Sequence, residues 1–366
     1  MTTAHFAGAN PAETVFLPLP AALTVYCPFP LPDPPFDVAG IDQQAVNWAV
    51  TNGLCESGSR ATRMGWAHGI APALRFAAES TVLAATKHFL WGSLLDDHWD
   101  THPTGMAAHA GELQRVMAEA PDAPLPPDDE WTASLRDLRE QLESVLTDTE
   151  FAVFRYEHAL WLNGQLWYTE LRQRATPPEI GEWLRMRWTK VGVGTLIPFT
   201  GATMGSLQMT ARQFDEPLVR AFSQATMLAC AILNDLFSAA KEFVAGTGGM
   251  NLVTVLGHAE HLDPVAAVAA AWQLYERLVI AVVVLQQRLL ADPRPAVARF
   301  AAELPQWIPA GLHWASTTAR YRVDDQDKAD PTPPTLIVSS APTLWDPADL
   351  TPPPYPEIAR WWRCLA

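Results

Sequence analysis

The stretch Leu94-Leu95-Asp96-Asp97-His98-Trp99-Asp100 places three carboxylates at the end of a run of apolar and small residues. The length of this run and its lack of proline predict a helix, on which Asp96 and Asp100 are four residues apart and share one face. Two carboxylates on one face can bind a hard divalent cation such as Mg²⁺, which prefers oxygen ligands and keeps positions for water and phosphate oxygens. A solvated acidic helix end is the alternative.

A second polar pattern lies between Asn234 and Glu242. Asn234, Ser238 and Glu242 are spaced four and four, so a helix places an amide carbonyl, a hydroxyl and a carboxylate in one stripe that rises about 6 Å per step. The run from Ala221 to Leu233 is almost wholly apolar, which predicts that this helix is buried up to its polar end. The stripe is a second candidate metal site.

The two patterns together resemble bacterial class I terpene synthases (terpene cyclases) of the single-domain kind. The first stretch matches the family's DDxxD motif, and the second matches its NSE motif, (N/D)Dxx(S/T)xx(K/R)(E/D), with Lys241 at the basic position. The resemblance covers residues 15 to 325 and implies three Mg²⁺ ions bound together with a substrate diphosphate. The implied metal ligands are Asp96, Asp97, Asp100, Asn234, Ser238 and Glu242.

The resemblance also extends to a basic segment before the NSE motif. Arg187 fits the family's pyrophosphate sensor, because a planar guanidinium offers a fork of donors that matches phosphate oxygens. An ordinary surface arginine is the alternative for Arg187 and for its neighbour Arg185. Family members usually carry Asp or Thr and then Gly after the sensor, whereas this chain has Lys190 and then Val191, with Gly192 one place late. The effector residue is therefore left open between Val191 and Gly192.

The pair Arg320-Tyr321 resembles the family's C-terminal RY motif, whose side chains bind the diphosphate when the site closes. Trp314 lies seven residues earlier, and on one continuous helix it would share a face with Tyr321 about 10 Å further from the C-terminal end. Trp314 is therefore predicted to lie deep in the pocket beside the hydrocarbon chain, with packing in the core as the alternative. The predicted catalytic set is Asp96, Asp97, Asp100, Arg187, Lys241, Arg320, Tyr321 and Trp314.

The chain as a whole is predicted to be all-α, a single-domain class I terpenoid synthase fold with a helical bundle around an apolar cavity. Helical patterns separated by Pro-, Gly- and Asp-rich loops occupy residues 41–325, without strand alternation or internal repeats. They include continuous helices over 72–97 and 307–321. Residues 1–40 form a proline-rich N-terminal arm, and the proline-rich tail 326–366 is predicted to be disordered or lid-forming.

Composition limits the partners. A net charge of −15 argues against nucleic acid and anionic membranes, both of which favour Lys and Arg. The four cysteines lack metal-site spacing and are interpreted as free thiols of a reducing cytosol. No signal peptide is evident, and the apolar run Leu278 to Leu285 is too short to span a bilayer. We expect a cytoplasmic protein without a membrane span, with homodimer formation left open.

The activity that the resemblance implies is ionisation of a linear prenyl diphosphate, release of diphosphate and cyclisation of the carbocation. Gly92 and Ser93 lie just below the predicted mouth, where many farnesyl-cyclising relatives place bulky aromatics, and the roomier pocket favours geranylgeranyl diphosphate. Farnesyl diphosphate is the commoner substrate of the family, so the two substrates are near parity. A chain-elongating prenyl diphosphate synthase is one alternative, although such enzymes carry a second aspartate-rich motif. A non-catalytic helical protein that binds an apolar ligand is the other.

Overall fold

Helices dominate the computed structural model, which describes residues 22–120, 122–174, 176–205, 207–244, 250–321 and 335–365. This confirms the all-α class predicted from the sequence. In chain order the α-helices are α1 (Val38–Thr51), α2 (Trp66–Ile70), α3 (Glu79–Thr101), α4 (Met106–Ala118), α5 (Glu130–Val145), α6 (Asp148–Arg172), α7 (Ile180–Lys190), α8 (Leu196–Ala202), α9 (Ala211–Phe214), α10 (Pro217–Val244), α11 (Leu252–Ala259), α12 (Pro264–Leu290), α13 (Pro295–Glu303), α14 (Trp307–Thr317) and α15 (Pro356–Trp362).

Several helices begin at side-chain caps that the sequence encodes. The Asp37 carboxylate accepts from the Gly40 N–H at the start of α1, and Thr147 and Glu150 form a reciprocal capping box at the start of α6. Asp263 caps α12, whose first residue is Pro264. These contacts satisfy N–H groups that have no partner within the helix, so they fix where each helix begins.

Helix α10 is central to the packing. It lies against α12, α14 and α7, while α6 packs along α7 and α3 lies against α1 and α5. Large side chains such as Trp91, Trp183, Tyr275 and Phe222 are fully buried in the core. This arrangement brings the polar ends of α3 and α10 to the same end of the bundle, with the C-terminal end of α7 beside both.

Two predicted helices have different bounds in the structure. Residues 71–78 form turns, and α3 begins only after Ala78, which adopts an extended conformation. Helix α14 ends at Thr317 because Thr318 is extended, with φ −63° and ψ 142°. Arg320 and Tyr321 therefore lie on a separate 3-10 turn, Ala319–Tyr321, and the prediction of one helix from 307 to 321 is wrong.

The prediction of a disordered C-terminal tail is wrong for residues 335–365. Strand β1 (Ala22–Tyr26) pairs in parallel with strand β2 (Thr335–Ser339), so the N-terminal arm and the tail form a two-stranded sheet that the sequence pattern did not reveal. The Glu276 carboxylate of α12 then accepts from the backbone N–H groups of residues 343 to 345. Residues 1–21 and 322–334 lie outside the described residues, and a lid-forming role of the tail 326–366 stays a prediction.

The tail also packs on α7. Ile358, Trp361 and Trp362 of α15 are buried, which gives this short segment enough apolar area to remain attached. Glu357 forms an ion pair with Arg185, and Gly181 leaves room for the Glu357 carboxylate, which a Cβ at position 181 would meet within 3 Å. The tail is therefore fastened to the helix that carries Arg187.

Helix α12 bears on the question of a membrane span. The predicted apolar run Leu278–Leu285 is short, but the whole helix has 27 residues and is long and apolar enough to cross a bilayer by length and composition. In the structure 61% of its most apolar window is buried inside the protein, against α10, α11 and α13. Helices in protein cores share these properties, so α12 is weak evidence for a span.

Candidate active site

The carboxylates of α3 each face a cationic side chain from another part of the fold. Lys190 Nζ at the end of α7 lies 2.9 and 3.2 Å from the two oxygens of Asp96. Arg320 lies 3.3 Å from Asp96 and 2.7 Å from Asp97. These contacts hold the end of α3, the end of α7 and the 3-10 turn together, although the three segments are far apart in the chain.

Two further ion pairs extend this group. Lys241 Nζ of α10 lies 3.8 Å from Asp97, and Arg172 at the end of α6 lies 2.6 Å from Asp100. Cations from α6, α7, α10 and the 3-10 turn thus converge on one carboxylate cluster. The carboxylates of α3 therefore form a binding site for cationic groups.

The local field separates the pKa values of two of these aspartates. Burial raises the pKa of Asp96, but Lys190 and Arg320 outweigh burial and lower it to about 2. The pKa of Asp100 is raised by burial and by the charge of Asp96, in spite of Lys190 and Arg172. The neighbouring cations therefore hold Asp96 in its charged form.

The polar stripe of α10 is organised by hydrogen bonds. Ser238 Oγ donates to one oxygen of Glu242 at 2.7 Å, and the Asn251 amide donates to the other at 2.8 Å. The Asn234 carbonyl accepts from the Arg187 guanidinium, and the Asn234 amide donates to the Tyr321 hydroxyl. Ser238 and Glu242 are therefore in direct contact, and Asn234 is held by Arg187 and Tyr321.

Arg187 reaches the stripe from a buried ion pair. Its side chain is only 6% exposed, and its Nε lies 2.6 Å from an oxygen of Asp235. Burial raises the pKa of Asp235 to about 6, even though Arg187 opposes that shift. Arg185 points away from this region, is 53% exposed and pairs with Glu357. Of the two candidate sensor arginines, Arg187 is the one beside Asn234.

We call this ring of charged and polar groups the rim. It comprises Asp96, Asp97, Asp100, Arg172, Arg187, Lys190, Asn234, Ser238, Lys241, Glu242, Arg320 and Tyr321.

An apolar cavity of about 90 Å³ lies beneath the rim, and Asn234 and Tyr321 belong to both. Its lining comes from α2, α3, α8, α10 and α14, from Val191 and Val193 between α7 and α8, and from Tyr321, so no single segment defines it. We call its aromatic and aliphatic lining the wall, which includes Trp66, Phe89, Val191, Leu196, Trp307 and Trp314.

Trp314 lines this cavity, but not at the predicted depth. Its ring stacks on Trp66 with centroids 3.8 Å apart and meets Tyr321 edge-on at 5.2 Å. The break at Thr318 turns the chain back, and Trp314 Nε1 and Thr318 Oγ1 both donate to the Met64 carbonyl at 2.8 Å. The expected separation of about 10 Å along one helix is therefore wrong, and Trp314 lies directly below the rim.

The region below Asp96 is also more crowded than Gly92 suggests. A ring carbon of Trp161, on α6, lies 3.5 Å from the position of a Cβ at Gly92, in ordinary van der Waals contact. The same indole lies 3.1 Å from the position of a Cβ at Gly192, which has φ +73° and therefore favours glycine. Of the two effector candidates, Val191 lines the cavity, whereas Gly192 provides the turn after α7.

The donor set fits a hard divalent cation. Among the described residues, no three His, Cys, Asp or Glu side chains converge closely enough to hold an ion in the present arrangement. The reason is visible in the contacts: the aspartates face Lys190, Arg320, Lys241 and Arg172, and the stripe contains a single carboxylate. Carboxylate, amide and hydroxyl oxygens are nonetheless the ligands that Mg²⁺ prefers. The basic side chains now neutralise the negative charge of the aspartates, which bound metal ions would otherwise neutralise.

Three residues of the site were not predicted from the sequence. Lys190 stood out only as a departure from the family pattern, and its contact with Asp96 depends on how α7 packs. Arg172 is an ordinary basic residue at a helix end, without any motif. Asn251 could have been noticed as a typical N-cap residue at the start of α11. It caps that helix, and its amide also donates to Glu242.

The helical fold brings the two oxygen-bearing stretches together above one apolar cavity. A family model described as terpene synthase family 2, C-terminal metal binding, matches residues 87–279, which contain both stretches. The chain belongs to this family and is a class I terpene cyclase, a lyase.

Named relatives resemble the chain over most of its length. It is 28% identical to bonnadiene synthase of Allokutzneria albata over 92% of this chain and 96% of that protein. It is 27% identical to (+)-T-muurolol synthase of Streptomyces clavuligerus, a farnesyl-diphosphate-cyclising enzyme, over 93% of this chain and 82% of that protein.

A solved structure shares the fold. The SVS_A2 protein from ancestral sequence reconstruction superimposes with a TM-score of 0.75 at 24% identity, over 93% of this chain and 98% of that one. This similarity supports the single-domain class I terpenoid synthase architecture.

Proposed function

We propose that the rim binds three Mg²⁺ ions and the diphosphate of a linear prenyl diphosphate, and that the wall guides cyclisation of the resulting carbocation. Asp96, Asp97 and Asp100 would provide one group of metal ligands. Asn234, Ser238 and Glu242 would provide the other. The observation that carries this proposal is that both groups, together with five converging basic side chains, lie at one mouth of one apolar cavity.

The metal ions would supply charge stabilisation for the leaving diphosphate. The protein's own donors complete that role: Arg187, Lys241, Arg320 and Tyr321 offer guanidinium, ammonium and hydroxyl hydrogens on the same side of the cavity. Charge-assisted contacts of this kind contribute about 1.5–3 kcal/mol each. They are aimed at the place where negative charge develops when the carbon–oxygen bond breaks.

The wall would serve the carbocation. Aromatic faces such as those of Trp66, Phe89 and Trp314 can stabilise positive charge, by about 2 kcal/mol or more when water is absent. Exclusion of water also protects the cation from premature quenching. The cavity of about 90 Å³ is smaller than the roughly 300–1,000 Å³ of typical ligand pockets, so a prenyl chain would have to widen it.

Farnesyl and geranylgeranyl diphosphate are both proposed substrates. Gly92 and Ser93 keep the α3 side of the site free of bulky side chains, which favours the longer chain, whereas Trp161 fills part of that space and favours the shorter one. The cyclisation of farnesyl diphosphate by the T-muurolol synthase supports the shorter chain by analogy. Product skeleton is decided by the wall.

The test is a set of separate incubations with C10, C15 and C20 prenyl diphosphates and Mg²⁺, followed by product analysis and measurement of released diphosphate. We expect cyclic products from the C15 or C20 substrate and none when a chelator replaces Mg²⁺. Longer linear diphosphates formed on addition of isopentenyl diphosphate would instead indicate a chain-elongating synthase. Absence of turnover with every substrate would contradict the proposal.

Two minor parts of the proposal concern the whole molecule. We propose that the enzyme works in the cytoplasm, since its substrates are small and its net charge of −15 disfavours anionic membrane surfaces. A homodimer stays a prediction, which the mass in solution would test.

A further inference from the structure

Lys190 occupies an unusual position in the rim. Its ammonium lies 2.9 and 3.2 Å from the two oxygens of Asp96, so it covers the carboxylate from one side as a bound cation would. Arg320, the other cation on Asp96, is 3.3 Å away and makes its shorter contact with Asp97. Lys190 is therefore the main counter-ion of Asp96.

The surrounding structure holds Lys190 in this place. Its ammonium lies over the face of Tyr168 at 4.5 Å from the ring centroid, and its side chain is only 12% exposed. The backbone N of Lys190 lies 2.5 Å from where a Cβ at Gly164 would be, so α7 and α6 approach closely only because Gly164 has no side chain. The Gln165 amide also donates to the Lys190 carbonyl at 3.4 Å. The packing of α6 against α7 and the Tyr168 ring therefore hold the Lys190 ammonium beside Asp96.

A divalent cation that binds Asp96 needs the same carboxylate oxygens. Two cations on the same oxygens repel each other, and the Tyr168 ring packs against the Lys190 ammonium. Metal binding at Asp96 would therefore weaken or displace the Lys190–Asp96 ion pair. That displacement opposes metal binding by the free energy of the pair.

We propose that Lys190 is a built-in counter-ion that competes with Mg²⁺ for Asp96 and thereby raises the Mg²⁺ concentration at which the site fills. In the metal-free enzyme it also keeps the end of α3 from the repulsion of neighbouring carboxylates. This inference rests on the proposed Mg²⁺ site and adds to it a residue that determines the metal requirement.

The test measures metal binding itself, separately from turnover. Wild type and Lys190→Met, which keeps an apolar stem but removes the charge, are titrated with Mg²⁺ in saturating inorganic diphosphate, and binding is followed by calorimetry. We expect the half-saturating Mg²⁺ concentration of Lys190→Met to fall about five- to ten-fold, the range of one partly screened charge-assisted contact. Lys190→Arg restores a cation and should return the value toward wild type.

Lys87→Met is the matched control, because Lys87 is another half-buried lysine over an aromatic ring, Trp48, but on the opposite side of α3 where it donates to Gln141. Its titration should follow that of wild type. Circular dichroism checks the fold of each variant, and Lys190→Gln replaces Lys190→Met if the latter unfolds.

The outcomes separate the two levels of the inference. An unchanged or raised half-saturating concentration in Lys190→Met, with normal binding by wild type, overturns the role of Lys190 alone; a raised value would mean that Lys190 serves the diphosphate. If wild type shows no Mg²⁺ binding in the presence of diphosphate, the proposed metal site fails and the role of Lys190 fails with it.

Discussion

The rim and the wall lie within a few ångströms of each other and are held together by different physics. In the rim, side chains from α3, α6, α7, α10 and the Ala319–Tyr321 turn are fixed by ion pairs and charged hydrogen bonds such as Arg320–Asp97 at 2.7 Å. In the wall, residues from as many segments are fixed by packing, as in the stacking of Trp314 on Trp66 at 3.8 Å.

This difference separates two tasks. Charged contacts are directional and each has a required partner, so loss of one rim group leaves an unpaired charge near the diphosphate site. Apolar contacts are non-directional, so loss of one wall group changes shape and local polarisability but leaves the other contacts in place. We therefore expect rim substitutions to decide whether the substrate ionises and wall substitutions to decide what the cation becomes.

The largest effect is expected from Glu242→Gln. Glu242 is the only carboxylate of its stripe. Glutamine keeps its size, its carbonyl oxygen can still accept from the Asn251 amide, and its NH2 group can donate to the Ser238 hydroxyl once that hydroxyl rotates to accept. Loss of one charged metal ligand removes several kcal/mol of charge stabilisation, so kcat should fall roughly a thousand-fold with little change in thermal stability.

Steady-state release of diphosphate measures the Glu242→Gln effect. Glu179→Gln is the control, because Glu179 is exposed and its side chain does not cap α7. Turnover of Glu242→Gln at the wild-type rate would remove the stripe from the metal site.

Asp96→Asn is expected to come next. Asp97 and Asp100 keep two carboxylates of the cluster, so we expect kcat to fall about a hundred-fold. This variant also leaves Lys190 and Arg320 without their common counter-ion, which should lower the melting temperature of the metal-free enzyme by a few degrees. Glu242→Gln should not show that loss, and the contrast between the two variants distinguishes the ion-paired half of the rim from the hydrogen-bonded half.

Thermal melts in chelator, together with far-UV circular dichroism, check the Asp96→Asn prediction. The helical signal should remain that of wild type, and Asp148→Asn at an exposed position in the first turn of α6 serves as the control. Complete unfolding of Asp96→Asn would show that the carboxylate is needed for the fold itself.

Arg320→Ala tests whether the rim binds the diphosphate, and its expected effect is smaller than those of the two carboxylate variants. In the structure Arg320 forms ion pairs with Asp96 and Asp97, and it would turn to the diphosphate once metal charge compensates those carboxylates. Loss of one charge-assisted contact should weaken binding of inorganic diphosphate with Mg²⁺ about ten-fold. Calorimetry measures it, with the exposed Arg212→Ala as control. Equal affinities for wild type and Arg320→Ala would exclude a diphosphate contact.

The rim was largely predictable from the sequence, and the wall was not. Asp96, Asp100, Asn234, Ser238 and Glu242 repeat at helical spacing, so a local rule places their side chains on one face. Lys190 and Arg172 join the rim only through the packing of α6 and α7, which no local spacing encodes. The lining residues Trp66, Phe89 and Trp307 come from three different helices. Nothing in the sequence around them distinguishes them from other buried aromatic residues.

The same limit explains the errors in the fold. Parallel pairing of Ala22–Tyr26 with Thr335–Ser339 joins segments at opposite ends of the chain, and the Glu276 contacts that order residues 343–345 are equally non-local. At Thr318, one residue in an extended conformation ended a helix that apolar periodicity would have continued. Composition predicted a disordered tail because it cannot report such partners.

Trp314 gives the smallest expected effect on rate and the sharpest test of the difference between rim and wall, because its ring contacts both Tyr321 and Trp66. If its indole face stabilises the cation, Trp314→Phe should keep much of the activity, losing about 1 kcal/mol of stability with the hydrogen bond to Met64. Trp314→Leu should keep diphosphate release but shift the products toward acyclic or earlier-quenched terpenes, since leucine fills space without a quadrupole.

Gas chromatography of the product mixture, normalised to released diphosphate, measures this shift. Trp345→Leu is the control, because Trp345 lies in the C-terminal tail over Arg277, outside the cavity lining, and should leave the product ratios unchanged. Two results would contradict the cation role. If both Trp314 variants lose thermal stability while their product ratios stay at wild-type values, the indole only packs the core. If Trp314→Leu abolishes diphosphate release instead of diverting products, Trp314 acts through its edge contact with Tyr321 and belongs functionally to the rim.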